Sequence, residues 1–321
     1  MSSILWRLLP LAGVLSVTAG SQENVGTALP SDTRVVVCNT TVTDESGRLI
    51  TDLPQSAFSV FEDGVRQQIR VFNREDLPVS LGLIIDNSGS MRAKRASVEA
   101  AALALVKDSS PRNEVFVVNF NDIAYIDVPH GKAFTSDIEE MKQALTRIDA
   151  RGSTAMRDAV QVSLDHLRAN AHQEKKVLVM VTDGVENASK VSRSLEELVR
   201  NARQSGVVIY CVGLLTDEDK RDAAAAKQQL NALAEATGGE TFYPKDVSAV
   251  DRIAHQVARE IRSQYTIEYT PSNTAMDGAF RKIRVAVSAP GRLTPRTRTG
   301  YYATPDQAQP PKSGGASHLR P

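Results

Sequence analysis

A short apolar run that stops at a cluster of small oxygen-bearing side chains restricts the fold of this chain more than any other feature. The run LGLII (81–85) is followed at once by DNSGS (86–90). A continuous apolar run of this length is typical of a strand that is buried on both faces of a parallel sheet. The polar residues then lie at the carboxyl end of that strand, where open α/β sheets bind their ligands.

The turn after this strand carries side chains that suit a metal ion. Asp86, Ser88 and Ser90 alternate along it, so one carboxylate and two hydroxyls can converge, and Gly89 lets the backbone fold closely around them. Hard oxygen ligands with little formal charge suit Mg²⁺, which keeps several waters and is held by one or two carboxylates. Asp, Ser and Gly also form ordinary turns and helix caps, so the pattern alone leaves that alternative open.

Two later stretches supply further candidate ligands. RGST (151–154) opens a predicted helix, and a second apolar run, VLVMVT (177–182), ends at Asp183. The combination resembles the von Willebrand factor type A (VWA) domain, whose metal-ion-dependent adhesion site (MIDAS) takes DxSxS, a threonine and an aspartate from three separate loops. The resemblance spans about residues 78–263, and all five positions match in chain order.

The resemblance implies a metal site that binds proteins. Carried over from the family, Ser88 and Ser90 bind the metal directly, and Thr154 binds it directly or through water. Asp86 and Asp183 act mostly through bound water. The implied ion is Mg²⁺, with Mn²⁺ or Ca²⁺ as alternatives. In the family the remaining coordination position takes a carboxylate, so the implied partner is a protein ligand that presents Asp or Glu.

Both flanks of this α/β region are rich in predicted strands. The strands are predicted at 34–43, 58–61, 68–72, 264–269, 280–287 and 300–302. About forty residues of strand on one side cannot bury a two-sheet core alone, which favours pairing of the two flanks into one β-sandwich. Two separate β extensions are the alternative. Short motifs in the flanks, such as FxVxxDG and QYxxxY, resemble those of secreted bacterial VWA-related proteins.

The predicted fold class is therefore α/β, with a doubly wound, mostly parallel sheet inserted in a small β-sandwich. The first helix of the sheet region, from about Met91 to Lys107, is expected to bury Ala96, Ala100, Leu103 and Val106. The predicted order along the chain is a signal peptide (1–21), an amino-terminal β-sandwich segment (32–76), the VWA domain (77–263), a carboxyl-terminal β-sandwich segment (264–302) and a disordered tail (303–321).

The amino terminus has the pattern of an export signal. Arg7 precedes an apolar stretch at 8–17, and small residues follow at 18–21. Pro10 and Gly13 interrupt this short stretch, so cleavage is expected and no stable membrane span is left afterwards. An uncleaved anchor is the alternative. The sequence therefore predicts a secreted or periplasmic protein.

Composition argues against several partners. Lys and Arg together number 38, as do Asp and Glu, so no global field favours nucleic acid. No Walker loop or GxGxxG follows a predicted strand, so nucleotide binding is not expected.

Cys38 and Cys211 lie in strand-like runs of different predicted domains, and we expect two buried cysteines instead of a disulfide.

The predicted function is an exported module that binds a protein through a metal, and not an enzyme. GxSxG is absent from a strand-to-helix elbow, and none of the five histidines recurs at metal-ligand spacing. One alternative is a structural or assembly protein of the envelope that keeps the motif as a folding metal. The other is a metal-dependent hydrolase, because Mg²⁺ with an open position can act as a Lewis acid.

Several charged residues near the motif receive weaker predictions. Arg92, Lys94 and Arg95 are expected to be ordinary surface residues, with steering of an acidic partner as the alternative. Glu186 is expected to be solvated, with a contribution to the metal shell or repulsion of a ligand as the alternatives. Asn121 and Asp122 are candidates for the rim of the site.

Overall fold

The computed structural model of the protein describes residues 34–129, 131–146, 151–191 and 194–305. Its strands, in chain order, are β1 (Val36–Thr43), β2 (Phe58–Glu62), β3 (Val65–Gln67), β4 (Ile69–Asn73), β5 (Val79–Asp86), β6 (Glu114–Phe120), β7 (Ala124–Ile126), β8 (Lys175–Thr182), β9 (Val208–Gly213), β10 (Thr241–Phe242), β11 (Tyr265–Tyr269), β12 (Phe280–Val287), β13 (Thr294–Arg296) and β14 (Gly300–Tyr302). Its α-helices are α1 (Arg95–Asp108), α2 (Ile138–Thr146), α3 (Met156–Asn170), α4 (Leu195–Ser205), α5 (Lys220–Thr237) and α6 (Ala249–Ser263).

The central sheet has six strands in the order β10-β9-β8-β5-β6-β7. Every neighbouring pair is parallel except β6 with β7. All eight residues of β5 are buried, as its continuous apolar run predicts. Strand β6 lies on one side of β5 and β8 on the other, so the strand order reverses at β5. Crevices for ligands form at such reversals, outside the carboxyl ends of the strands.

Two apolar cores cover the two faces of this sheet. Val98 of α1 and Val257 of α6 belong to the core on one face, together with residues of α2. Leu164 of α3 and Leu198 of α4 belong to the other, together with residues of α5. Helices on both faces make this a doubly wound sheet, and the predicted fold class is confirmed.

Two antiparallel sheets join strands from both flanks of the chain. Their orders are β13-β1-β11-β4 and β14-β12-β2-β3. Strand β1 pairs with β11, and β2 pairs with β12, so each sheet contains residues from before and after the central region. Phe58, Tyr265 and Val285 belong to their shared apolar core. This is the predicted sandwich. Residues 34–305 belong to one compact unit, so the exact boundaries between the predicted domains stay predictions.

The buried face of α1 differs from the prediction. A 3₁₀-helix covers Gly89–Ala93, and α1 begins only at Arg95. A periodicity counted from Met91 is therefore out of phase with the helix, because a 3₁₀-helix has fewer residues per turn. The residues that α1 buries are Val98, Ala101, Ala102 and Leu105. Of the predicted residues, Leu103 and Val106 pack half-buried against the same core, whereas Ala96 and Ala100 are exposed.

The two short strands β3 and β13 have no counterpart among the predicted strands. Each is three residues long, and β13 contains Pro295, so neither carries a clear alternating pattern. Both lie at an edge of their sheets.

Cys38 and Cys211 are buried in different cores and are free, as predicted. Burial raises the pKa of both thiols to about 12.

The predicted signal peptide and most of the predicted tail lie outside the described residues. Among the helices of the described ranges, none is long and apolar enough to span a bilayer.

Candidate metal site

Three loops meet at the carboxyl edge of the central sheet. The first loop (87–90) follows β5, the second loop (151–155) precedes α3, and the third loop (183–191) follows β8. Gly89 donates a backbone hydrogen bond of 3.2 Å to Gly152, and Arg151 donates one of 2.9 Å to Asn87. The first and second loops are therefore joined in both directions.

The second and third loops are joined in the same way. Thr154 N donates to Asn187 Oδ1 at 2.8 Å, and Asn187 N donates to the Thr154 carbonyl at 3.1 Å. A Cβ at Gly184 would lie 3.1 Å from Thr154 Oγ1, so a side chain there would crowd this hydroxyl. Because Gly184 has no side chain, the Thr154 hydroxyl can lie directly beside the loop that begins at Asp183.

The predicted ligands from the first and third loops are in direct contact. Ser88 Oγ lies 3.1 Å from Ser90 Oγ, and Ser90 Oγ donates to Asp183 Oδ1 at 2.7 Å. Asp183 is fully buried and Ser88 is 2% exposed, whereas Ser90 is exposed. The cluster therefore reaches solvent at Ser90.

Asp86 lies beneath this cluster, at the end of β5. Its Oδ1 accepts a hydrogen bond of 2.8 Å from Ser88 N, and its Oδ2 accepts one of 2.6 Å from the hydroxyl of Thr182. Burial raises the pKa of Asp86 to about 6, against the lowering effect of these hydrogen bonds. A cation near this carboxyl would favour its charged form.

A lysine supplies positive charge to the other acid. Lys94 Nζ lies 2.8 Å from Asp183 Oδ2, and its side chain is only 13% exposed. The expectation that Lys94 is an ordinary surface residue is therefore wrong. The 3₁₀-helix between the first loop and α1 turns the chain so that this lysine points back to the site.

The donor set fits a divalent cation. It consists of hydroxyl and carboxylate oxygens, which Mg²⁺, Mn²⁺ and Ca²⁺ prefer. The ammonium of Lys94 is a stand-in cation against the same carboxylate that meets Ser90. Among the described residues no group of three or more His, Cys, Asp or Glu side chains is placed to hold a metal. Within the described ranges, a metal site therefore needs the hydroxyls of Ser88, Ser90 and Thr154.

Glu186 anchors the third loop to α3, a role that the sequence did not indicate. Its side chain is 1% exposed, so the prediction that it is solvated is wrong. Oε2 accepts from Arg157 N at 2.7 Å, and Oε1 accepts from Ser189 N at 2.7 Å. A buried carboxylate that takes several backbone N–H donors holds the loop in one shape.

Two further aspartates join the loops. Asp158 of α3 accepts hydrogen bonds from Lys190 N at 2.8 Å and Val191 N at 3.1 Å. Asp122, predicted at the rim, accepts from Ser153 N at 2.8 Å. The only local signal for Asp158 is an acid in the first turn of a helix, where it also favours the helix dipole.

The three histidines in the described ranges contact groups outside the three loops. His166 bonds to the Ala133 carbonyl at 2.8 Å, and His172 pairs with Glu114 at the start of β6. His255 pairs with Asp108 at the end of α1. His130 and His318 lie outside the described residues.

Comparison with known proteins identifies the family of the central region. The family model of the von Willebrand factor type A domain matches residues 81–256, which is more than half of the 321-residue chain. A bovine (Bos taurus) protein, inter-alpha-trypsin inhibitor heavy chain H4, is 25% identical over 147 residues. That match covers 43% of this chain and 16% of the bovine protein, so the chain corresponds to a small portion of that relative.

One solved structure shows the same fold over most of the chain. The von Willebrand factor type A protein from Catenulispora acidiphila superimposes with a TM-score of 0.51 at 14% identity. The match covers 85% of this chain and 74% of that one. The vWF domain of the pilus tip protein Mfa5 from Porphyromonas gingivalis matches with a TM-score of 0.46, 14% identity, and coverage of 58% and 97%. At these identities the likeness concerns the fold.

Proposed function

The chain belongs to the von Willebrand factor type A domain family, and on this premise we propose that it is an exported, metal-dependent protein-binding module. VWA domains mediate protein–protein interaction. In this proposal the three loops hold Mg²⁺, with Mn²⁺ or Ca²⁺ as alternatives, and the metal captures an Asp or Glu side chain of a partner protein. The metal and the class of partner are the proposed part. Both start from the family membership and go beyond it.

One observation carries the proposal. Ser90, from the first loop, bonds to Asp183, from the third loop, and Ser90 also faces solvent. The second loop is bonded to both of the others. The three loops that carry the proposed oxygen donors are thus joined to one another, and Ser90 lies where a ligand can reach it from outside.

Each residue has a distinct task in this mechanism. Ser88 and Ser90 would bind the metal through neutral hydroxyls, and Thr154 would bind it directly or through water. Asp86 and Asp183 would balance its charge mostly through water. When bound, the metal supplies a positively charged position with an open coordination site. Since the closest ligands are neutral, that position attracts an incoming carboxylate strongly.

The protein's own hydrogen bonds orient these donors before any ligand arrives. Thr182 and the Ser88 amide fix both oxygens of Asp86, and Glu186 and Asp158 fix the third loop. Groups that are already held in place lose little conformational entropy when a partner binds.

The proposed location is outside the cytoplasm, in the periplasm or the medium. Its support is the charged, apolar and small-residue pattern of residues 1–21. The lack of a bilayer-spanning helix among the described residues is compatible with this location.

The test is affinity capture from an envelope extract of the source organism. Immobilised protein is incubated with extract in Mg²⁺ or in EDTA, with wild type, Ser88→Ala and the control Ser97→Ala, a substitution on α1 away from the three loops. We expect a partner to be recovered by wild type and the control in Mg²⁺ only. Equal recovery in EDTA, or by Ser88→Ala, would contradict the proposal.

Two other outcomes would support the alternative functions. Thermal stability that rises with Mg²⁺ while no partner is recovered would indicate a structural envelope protein that uses a folding metal. Turnover of a phosphoester or ester panel that needs Mg²⁺ and Ser88 would indicate a hydrolase. Either result would replace the proposed binding function.

A further inference from the structure

We propose that Lys94 is a built-in competitor of the metal, whose ammonium occupies Asp183 in the metal-free protein and must leave when a divalent cation binds. This inference rests on the proposed metal site and adds a residue that sets its affinity. Lys94 is outside the DxSxS, threonine and aspartate positions that define the motif.

The position of Lys94 is fixed by the backbone. Its amide donates a 2.9 Å hydrogen bond to the Met91 carbonyl, which closes the 3₁₀-helix directly after the first loop. From there the side chain extends to Asp183 Oδ2, 2.8 Å away. The ion pair therefore joins the first turn after one ligand loop to the acid of another.

This ion pair lies largely out of contact with solvent. The Lys94 side chain is 13% exposed, and that of Asp183 is fully buried. A buried carboxylate without a counter-charge is strongly disfavoured, so some cation is needed beside Asp183. In this structure Lys94 supplies that cation.

The same carboxylate also faces the proposed metal ligands. Asp183 Oδ1 accepts the hydrogen bond of Ser90, while Oδ2 accepts that of Lys94. A divalent cation held by Ser90 would thus lie close to the ammonium, and like charges at such a distance repel each other where water is largely excluded. Metal and ammonium therefore compete for one acid.

Glu218 interacts electrostatically with both members of the ion pair. Glu218, just before α5, has a raised pKa, chiefly from burial and then from the charge of Asp183, and the charge of Lys94 partly offsets this rise. Glu218 is thus close enough to feel both members of the pair. Asp219 and Asp222 add negative charge in the same segment.

The first test measures Mg²⁺ and Mn²⁺ binding by isothermal titration calorimetry. Lys94→Met keeps most of the apolar length of the side chain and removes its charge, and Lys107→Met, an exposed position at the end of α1, is the matched control. We expect Lys94→Met to bind both metals about tenfold more tightly or better, the factor that corresponds to about 1.4 kcal/mol. The control should bind as wild type does. Unchanged or weaker binding by Lys94→Met would overturn the inference.

A second test uses the wild-type chain, since Lys94→Met without metal leaves Asp183 uncompensated and can fail to fold. Acetic anhydride labels lysines, and mass spectrometry reports the rate at Lys94. We expect slow labelling in EDTA and faster labelling in saturating Mg²⁺, with the rate at Lys107 unchanged. A rate at Lys94 that Mg²⁺ leaves unchanged or lowers would contradict the inference.

The two proposals fail in different ways. If wild type and Lys94→Met bind metal equally well, the metal site stands and the role of Lys94 is wrong. If neither chain binds metal, both the site and the competitor are wrong.

Discussion

The hydroxyl of Ser90 donates a 2.7 Å hydrogen bond to the carboxylate of Asp183, 93 positions later in the chain. The contact follows from strand order, because β5 and β8 are parallel neighbours and end at the same edge of the sheet. Residues that follow two such strands meet without any local sequence signal for the contact. The candidate site is therefore a product of the sheet topology.

The hydroxyl of Thr182 should stabilise the fold through Asp86. It donates a buried 2.6 Å hydrogen bond to Asp86 Oδ2. Thr182→Val keeps the shape and removes the donor, so we expect the free energy of unfolding to fall by about 1–3 kcal/mol. Urea denaturation in EDTA measures this loss. Thr182→Ser restores a hydroxyl and should recover most of the stability, whereas equal values for the Val and Ser variants would contradict the assignment.

Gly82 should be required for close packing of the central strand. A Cβ at this position would lie 2.5 Å from Leu178 Cδ2 and 2.5 Å from Phe116 Cζ. Both neighbours are fully buried, so Gly82→Ala should lower the free energy of unfolding by about 1–3 kcal/mol through overpacking. The control is Gly89→Ala, where the nearest atom would be 3.9 Å away. Denaturation midpoints that shift equally for both variants would refute this explanation.

Lys175 should make stability rise with pH. It is buried at the start of β8, and its Nζ donates to the Ile261 carbonyl near the end of α6. Burial lowers its pKa to about 7, although the charge of Asp76 acts in the opposite direction. An exposed lysine has a pKa of about 10.4. Between these two values the unfolded chain holds the proton that the folded chain has lost, so the free energy of unfolding increases with pH.

The measurement is urea denaturation at a series of pH values from about 6 to about 10. Below about pH 7 both states are protonated and the slope from this group disappears. Lys175→Met should flatten the rise, and Lys142→Met, an exposed substitution on α2, should leave it as in wild type. A wild-type rise that persists unchanged in Lys175→Met would show that another group causes it.

Glu186 should act on metal binding without touching the metal. Its carboxylate holds the third loop through Arg157 N and Ser189 N. Glu186→Ala frees the loop, so we expect weaker Mg²⁺ binding by calorimetry and faster amide exchange in residues 184–191. The control is Glu196→Ala, an exposed substitution on α4. Wild-type affinity in Glu186→Ala would show that the loop keeps its shape without this anchor.

The positions of the five candidate ligands could be predicted because each lies close to the start or the end of a recognisable element. Asp86 and Asp183 mark the ends of apolar strands, and Thr154 comes shortly before α3. The sandwich could also be predicted, because alternating strands lie on both flanks and neither flank has enough of them alone. The role of the five candidate residues as metal ligands stays a prediction.

Lys94 and Glu186 could not be assigned from sequence. The role of Lys94 depends on the 3₁₀-helix at Gly89–Ala93, which sets the direction of the chain before α1. Glu186 bonds to backbone amides, and any residue type can supply those, so no partner motif exists in the sequence. Charged residues beside a motif are usually solvated, and only the three-dimensional contacts distinguish these two.

The central claim is that Ser88, Ser90, Thr154, Asp86 and Asp183 hold one divalent cation at the solvent-facing edge of the sheet. A crystal structure from crystals grown in Mn²⁺, with an anomalous difference map, locates the cation directly. We expect one peak about 2.0–2.6 Å from the hydroxyl oxygens of Ser88 and Ser90, with Lys94 moved away from Asp183. A well-ordered map that shows Lys94 still bonded to Asp183 and no anomalous peak at the three loops would contradict it.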